Sequence, residues 1–242
     1  MQQTSETYNT LLARNAPKQV RALVYRSNVA YTIYGQDRIV SAVSKAAMLD
    51  SKLTVGNCIA KELNLVIRNY AELPKIPRMA KIVMQFRLYE SNNSYSEWLP
   101  KGTYFIDTRD EGNGVIQIDA FDPMLKAERT FSQPGEQGFW PRSDIAVVEQ
   151  IAARIGVEID PRTIAIINKG YMVQYPGFGE GAYTCRECLG FVGQMYGGNW
   201  IITDENKLRL VILGDIPVDI NLLVDEHGDY ITVGGYRIIV SR

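Results

Sequence analysis

The sequence predicts an α+β protein with a β-barrel-like body and an inserted small α+β module. Three observations lead to this prediction: apolar and polar residues alternate through the first half, helical periodicity begins only after Phe131, and alternation returns near the C-terminus. The first half needs about five or six strands and almost no long helix, so a barrel or strongly curved sheet is an economical way to hide strand edges. We therefore assign a β-rich domain to 1–131, an α+β module to 132–215, and C-terminal strands returning toward the β body to 216–242.

The β-rich domain begins with a short helix or arm. Residues 4–14 form it, with Thr4 or Ser5 as the N-cap. Residues 19–34 are strand-rich, because apolar residues alternate with charged neighbours, and Asn28 marks a turn within them.

Two further stretches of this domain have the composition of strands. Residues 49–68 predict a short strand, a turn at Gly56-Asn57 and a second strand. Residues 79–90 alternate most strongly and predict a half-buried antiparallel strand. One face of that strand holds Ala80, Ile82, Met84, Phe86 and Leu88, and the other holds Lys81, Gln85 and Arg87.

The segment 96–131 is the most informative part of the chain. It predicts a β-hairpin with strands at 103–107 and 115–121, joined by a segment, 110–114, whose two glycines and Asn can adopt positive φ. Asp122 can then cap a helical turn with Pro123 at its first position, where the missing N–H costs nothing.

The α+β module starts after a loop at 132–138 that contains Pro and Gly. Residues 143–155 predict an amphipathic helix with Ser143 as N-cap and Gly156 as the C-terminal stop. Its apolar face consists of Ile145, Val148, Ile151 and Ile155.

A second helix and a hairpin complete the module. The helix covers 184–196 and opens on the capping box Thr184-Cys185-Arg186-Glu187, in which the Thr hydroxyl and the Glu carboxylate satisfy each other's backbone N–H groups. The hairpin joins 200–203 to 208–212. Residues 230–240 then alternate again, and we expect them to rejoin the first sheet.

Charge and cysteine content exclude several classes of protein. The formal net charge is −1, which argues against a dedicated nucleic-acid binder. The charge is uneven: residues 1–131 contain 17 Lys/Arg and 13 Asp/Glu, whereas residues 132–242 contain 9 and 14. The three cysteines do not make a disulfide framework and fit synthesis in a reducing cytoplasm. We expect no signal peptide, because the N-terminal segment has no apolar h-region. We also expect no membrane anchor, because no apolar run approaches the ~20 residues that span a bilayer.

Cys185-x-x-Cys188 is the most tempting chemical motif. A redox site would need a thioredoxin-like βαβ setting, and that parallel sheet is not predicted. A zinc site would need four ligands, and the other candidates, Cys58 and His227, lack paired spacing. Because a free Cys behaves as a small hydrophobe, we predict that Cys185 and Cys188 are reduced, uncoordinated and packed on the 184–196 helix.

The other candidate residues predict no chemistry. His227 is the sole histidine and lies in a loop-like segment, so we expect it on the surface. Asp107 and Asp119 could face each other across the hairpin, but nothing selects them as a glycosidase pair. The glycines at 177–181 and 196–199 lack the Gly-Lys-Ser/Thr ending of a phosphate loop and fit turns. We predict no catalytic, cofactor-binding or metal-binding residue and no enzymatic activity.

The order of elements resembles that of the hub proteins of long-tailed bacteriophages and related contractile injection systems, and the resemblance covers roughly residues 20–240. It rests on these segments, in order: LTVGNCIAKELNLVI, AKIVMQFRLYESNNSYSEWLPKG, WLPKGTYFIDTR, IDAFDPMLKAE, WPRSDIAVVEQIAARIGVEID and AYTCRECLGFVGQMYGGNWIITDENKLRLV. The resemblance implies a homotrimer with a central channel, in which two barrel-like domains per subunit make a pseudo-sixfold ring.

Function and partners follow from the same resemblance. It implies a structural hub at a virion tail tip or baseplate, made in the bacterial host cytoplasm, that joins the tail tube to tip proteins and adapts sixfold to threefold symmetry. The implied partners are further copies of the chain, the tail tube protein, the distal tail protein and the tape-measure protein. We expect no specific nucleic-acid binding.

Two other functions stay open at the level of sequence. The chain could be the N-terminal part of a tail-associated cell-wall hydrolase, since many hub proteins continue into a spike, fibre or peptidoglycan-cleaving domain. It could also be a carbohydrate-binding adhesion module, which would need an exposed aromatic platform.

Overall fold

The structure is a computed structural model that describes residues 4–26, 29–35, 37–46, 54–69, 76–90, 94–131, 140–167, 170–173, 183–213, 232–233 and 236–237. The chain forms two compact units, Met1–Val211 and Ile212–Arg242. No helix in these ranges is long and apolar enough to cross a membrane.

One antiparallel sheet of seven strands dominates the larger unit. The strands are β1 (Lys18–Arg26), β2 (Val29–Tyr34), β3 (Ile39–Lys45), β4 (Glu62–Arg68), β5 (Lys81–Leu88), β6 (Leu99–Gly112) and β7 (Val115–Phe121). Their order in the sheet is β2-β1-β5-β6-β7-β4-β3. The predicted strand at 79–90 is therefore confirmed as β5. Within this sheet, β3 is the strand that the sequence did not predict.

The sheet curls into a half-barrel, which confirms the predicted α+β class with a barrel-like body. The Ser44 hydroxyl on β3 and the Tyr104 hydroxyl on β6 hydrogen bond at 2.7 Å. Three strand spacings of ~4.8 Å separate β3 from β6, so only a strongly curled sheet brings these side chains together. The concave side holds the main core, namely Ala22, Val24, Leu63, Leu65, Ile67, Ile82, Met84, Tyr104, Ile106, Ile116, Ile118 and Ala120.

The predicted hairpin and capped turn are both present. Asn113 and Gly114, with φ of 51° and 73°, make the two-residue turn between β6 and β7. Strand β7 has the predicted bounds, whereas β6 is longer than predicted at both ends, from Leu99 to Gly112. A 3-10 helix then covers Pro123–Glu128, with Asp122 as its N-cap.

Helices α1 (Glu6–Ala13), α2 (Asp144–Ile155) and α4 (Cys185–Met195) confirm the three predicted helices. Ser5 caps α1 and Ser143 caps α2, which ends at Gly156 in the left-handed conformation. The capping box of α4 forms as predicted. On α2 the buried face is Asp144, Val147, Val148, Ile151, Ala152 and Ile155, so Ile145 lies at its margin.

The predicted second hairpin consists of β11 (Gly198–Ile202) and β12 (Lys207–Ile212). It belongs to a three-stranded sheet, because β9 (Glu158–Ile159) pairs parallel with β12. Helix α3 (Pro161–Ile167) follows β9, and neither was predicted. A small two-stranded sheet pairs β8 (Arg142–Ser143) with β10 (Met172–Val173).

In the smaller unit, β13 (Thr232–Val233) and β14 (Tyr236–Arg237) form an antiparallel pair. The predicted domain boundaries and the return of the C-terminal strands to the β body stay predictions. The predicted turn at Asn28, the loop at 132–138 and most of the short strand predicted near 49–55 lie outside the described residues.

Candidate functional site

The residues that could serve a function lie in two places: a junction where the curled sheet meets the helices, and the convex face of the sheet. The junction consists of loop 54–61, the 3-10 helix 123–128, α4 and β11. Asp122 is its buried anchor. Its Oδ1 accepts from the Met124 N–H at 2.9 Å, and its Oδ2 accepts from the Lys61 N–H at 3.0 Å. One carboxyl group thus caps the 3-10 helix and fixes the start of β4.

Arg186, in the first turn of α4, crosses the junction. Its guanidinium donates to the Cys58 carbonyl, to the Met124 carbonyl at 3.2 Å, and to the Glu128 carboxylate. A planar guanidinium offers five N–H donors in a fixed arrangement, which suits a site with three acceptors from two segments. Arg186 therefore joins α4 to both loop 54–61 and the 3-10 helix.

Two lysines and one aspartate form an ion-pair cluster beside the junction. Asp204 lies 2.5 Å from the Lys61 ammonium and 3.0 Å from the Lys101 ammonium. The cluster lines a cleft of about 460 Å³ that also borders Arg162 and Arg209. Asp160 binds Arg162 and Asp204 binds both lysines, so three of the four cationic groups of the cleft have a carboxylate partner within the chain.

The convex face of the sheet carries the second candidate feature, which we call the arginine–aromatic ladder: Gln19, Arg21, Gln85, Arg87, Tyr95 and Trp98. Gln19 lies opposite Arg87 and Arg21 lies opposite Gln85 in the pairing of β1 with β5. Arg21 Nε donates to Gln85 Oε1 at 2.8 Å, and Arg87 Nε donates to Gln19 Oε1 at 2.7 Å.

Both guanidinium groups of the ladder stack on aromatic rings. Arg21 lies 4.1 Å and Arg87 4.5 Å from the ring centre of Trp98, and Arg87 lies 3.9 Å from that of Tyr95. Burial and the neighbouring Arg87 charge lower the pKa of Arg21. No carboxylate of the described residues forms an ion pair with either guanidinium. The ladder is therefore a preorganised pair of like charges.

The three cysteines are buried and unpaired by disulfide, so the prediction that Cys185 and Cys188 pack on the helix is confirmed. Burial raises the pKa of Cys188 and of Cys58 to about 12 and also raises that of Cys185. Their thiols are thus held in the protonated form, which is a poor nucleophile and a poor metal ligand. Among the described residues, no three His, Cys, Asp or Glu side chains form a metal-binding group.

Asp107 and Asp119 are not opposite each other in the hairpin, because Thr108 lies opposite Asp119 and Asp107 occupies the register shift. Asp107 pairs with Arg78 at 3.0 Å, whereas Asp119 accepts from Asn64 Nδ2 at 2.7 Å and from Thr108 Oγ1 at 2.9 Å. Each carboxylate therefore has its own structural partners. His227 and the glycines at 177–181 lie outside the described residues.

The sequence did not reveal Arg186 or the ladder as functional candidates. Arg186 was visible only as a member of the capping box, since its acceptors lie about 60 and 130 positions away in the chain. The alternation of 79–90 placed Gln85 and Arg87 on one face. Only the register with β1 places Gln19 and Arg21 beside them.

Asp122 makes stability depend on pH. Burial raises its pKa to about 6 from 3.8, against the opposing effect of the two N–H donors. Since the folded pKa exceeds the unfolded value, this group's stabilising contribution is complete below the unfolded pKa and is lost as pH rises through about 6. We expect Asp122→Asn to remove this dependence. Between pH 4 and pH 7.5 the free energy of unfolding of the wild type should therefore fall by on the order of 2–3 kcal/mol relative to that of the variant.

Urea unfolding at several pH values measures this difference. Asp110→Asn, at an exposed position near the end of β6, is the control for removing one carboxylate elsewhere in the chain. Parallel profiles for the wild type and Asp122→Asn would contradict the prediction.

No family model matches the chain, and no curated protein matches it. Among solved structures, the chain is similar to the crystal structure of the 43 kDa tail protein of prophage MuSo2 from Shewanella oneidensis. The sequence identity is 11%, the TM-score is 0.49, and the match covers 80% of this chain and 54% of that one. The chain thus spans about half the length of that protein.

Proposed function

We propose that this chain is a non-enzymatic structural subunit of a phage, prophage or tail-derived particle, and specifically the hub of its tail tip or baseplate. As a homotrimer it joins the tail tube to tip proteins and adapts sixfold to threefold symmetry. Its partners are the tail tube protein, the distal tail protein and the tape-measure protein. It binds no specific nucleic acid.

The observation that carries this proposal is the ordered resemblance of residues 20–240 to phage hub proteins. The resembling segments include the parts that hold the larger unit together. IDAFDPMLKAE contains the Asp122 cap and the whole 3-10 helix, and AYTCRECLGFV contains Arg186. A hub transmits load between a tube and a tip, and such a role favours a stiff, cross-linked junction.

The sheet supports the self-association in this proposal. Strands β2 and β3 are its two edges, and they do not pair with each other in the described part of the chain. Strand β3 exposes nearly all its side chains, with Val40 54% and Val43 42% exposed. Exposed strand edges are sites at which a sheet can be extended by another chain.

Particles purified from the strain that encodes the chain provide the test. We expect immunogold label against the chain at one end of the tail, three copies per particle, and no assembled tails after deletion of its gene. Label spread along the tube, or absent from particles, would overturn the proposal. Zymography on cell walls checks the non-enzymatic part, because clear lysis by the purified chain would favour the hydrolase alternative.

A further inference from the structure

We propose that the arginine–aromatic ladder is a self-recognition site, where Arg21 and Arg87 of one copy bind carboxylates on the second half of a neighbouring copy. The inference rests on the self-association in the proposed function and assigns its electrostatic contact to named residues. The acceptors are Glu158 and Glu205, the exposed carboxylates that line one shallow concavity beside Gly156 and Asn206.

The ladder has the geometry of a binding site rather than of a solvated surface. An exposed arginine side chain loses rotational freedom about several bonds when it binds, and this loss of entropy opposes association. Here the Nε of each guanidinium is already fixed by a glutamine, and each group lies on the Trp98 ring. This ordering is complete before a partner arrives. Arg and Trp are also the residue types enriched among those that dominate binding energy at interfaces.

The charges of the ladder call for an anionic partner. Two guanidiniums lie side by side with no carboxylate of the described residues paired to them, and their mutual repulsion contributes to the lowered pKa of Arg21. A carboxylate placed between them would relieve that repulsion and form charge-assisted hydrogen bonds with the free ends of both groups.

The chain itself supplies such a partner. The first half of the sequence has four more Lys/Arg than Asp/Glu, and the second half has five fewer. Glu158 and Glu205 form no ion pair within 4.0 Å with described residues: Arg162, on which the Glu205 charge acts, is bound by Asp160, and Lys207, opposite Glu158 in the register, makes no ion pair. The two unpaired acidic side chains thus complement the two unpaired arginines.

A nucleic acid fits this face less well. Single-stranded nucleic acids bind to basic surfaces by stacking bases on exposed aromatic rings. On this face the rings are covered by the chain's own cations: Arg21 and Arg87 lie over Trp98, Lys81 over Tyr25, and Lys126 over Phe105. Each of these rings therefore already has a cation on one face, so less of its surface is open to base stacking.

Charge reversal in the full chain tests the inference. Self-association is measured by light scattering and sedimentation velocity across a concentration series at physiological salt. We expect Arg21→Glu/Arg87→Glu to weaken it by about tenfold or more, and Glu158→Arg/Glu205→Arg to do the same. The variant that carries all four changes again has opposite charges at the two surfaces, with their signs exchanged. Its association constant should lie within about threefold of the wild-type value.

Three controls separate recognition from misfolding and from bulk charge. Arg14→Glu/Arg129→Glu makes the same change in net charge at two exposed positions outside the ladder and the β3 edge, and should leave association unchanged. Circular dichroism and thermal unfolding check each variant, and Arg21→Gln/Arg87→Gln repeats the test with a milder change. Binding of a fluorescent single-stranded oligonucleotide is measured alongside.

The outcomes separate this inference from the proposed function. If the wild type forms trimers and both double variants do so equally well, the ladder contact is wrong and the hub proposal stands. Failure of the fourfold variant to recover, or oligonucleotide binding that the ladder variants abolish, also overturns the inference. A wild type that stays monomeric at every concentration also overturns the inference. Whether the hub proposal holds is then decided by the location of the chain in particles.

Discussion

Replacing Trp200 with Ala is expected to lower the free energy of unfolding by about 3–5 kcal/mol, the range for removing a large buried aromatic side chain. Trp200 lies on β11 and is fully buried. Its indole Nε1 donates to the Leu189 carbonyl of α4 at 2.6 Å, and its backbone bonds to Asn57 and Ile59 of loop 54–61. The substitution therefore opens a cavity at the centre of the junction and leaves a buried carbonyl without its donor.

Two further variants divide this effect into its parts. Trp200→Phe keeps most of the apolar volume, so it should lower the free energy of unfolding by less than Trp200→Ala does. It still loses the indole N–H, and this loss should cost about 1–3 kcal/mol. Trp98→Ala, at a half-buried ring on the convex face, should cost about 1 kcal/mol or less. Chemical denaturation followed by circular dichroism measures all three. A loss below 1 kcal/mol for Trp200→Ala would contradict this account of the junction.

In the seven-stranded sheet, the sequence predicted β4, β5 and β7, each of which has one buried face. In β5, buried Ile82, Met84 and Leu88 alternate with less buried residues, and such alternation is visible in the sequence alone. The missed strand, β3, is an edge strand whose side chains are almost all exposed. With no buried face it has no reason to alternate, and its sequence, IVSAVSK, does not.

The helices follow a similar rule. Helices α2 and α4 have capping residues that are recognisable locally, and both caps form. Helix α3 has only seven residues and three isoleucines, a composition with weak helix propensity. Its first turn is fixed instead by Asp160, whose carboxylate accepts from the Arg162 N–H at 3.0 Å and whose carbonyl accepts from the Thr163 N–H at 2.8 Å.

The candidate sites were less predictable than the fold because both depend on long-range register. The pairing of Gln19 with Arg87 and of Arg21 with Gln85 follows from two strands about 60 residues apart in the chain. A slip of one residue would turn these side chains to the concave side. The sequence indicated which residue types alternate on each strand, but it did not indicate which strand lies beside which.

A close approach between backbones explains the glycines of α4, which the sequence predicted only as part of a helix. Helix α4 contacts loop 54–61 and β11 without intervening side chains. A Cβ on Gly193 would lie 2.9 Å from the Gly198 carbonyl oxygen and 3.1 Å from Gly56 Cα. A Cβ on Gly190 would lie 2.9 Å from the Gly56 carbonyl oxygen. Backbone atoms cannot rotate away as a flexible side chain could, so the contact leaves no room for a methyl group.

We expect Gly193→Val to destabilise the protein by about 3 kcal/mol or more, and Gly193→Ala by about 1–2 kcal/mol. Two effects oppose each other in the Ala variant. Ala is favoured over Gly in a helix interior by about 1 kcal/mol, whereas forcing extra atoms into a packed contact costs about 1–3 kcal/mol. The second effect prevails here, because the new methyl group would meet backbone on two sides and Trp200 Nε1 at 3.1 Å on a third.

Gly112→Ala is the matched control, since a Cβ there would have no neighbour within 4 Å. Its stability should change by no more than about 0.5 kcal/mol. Urea unfolding of the four proteins gives the comparison. If Gly193→Ala stabilised the protein by the helix-propensity gain alone, α4 would have room beside Gly198. The close backbone contact between α4, loop 54–61 and β11 would then be wrong, and the stiffness of the junction would rest on Asp122, Arg186 and Trp200.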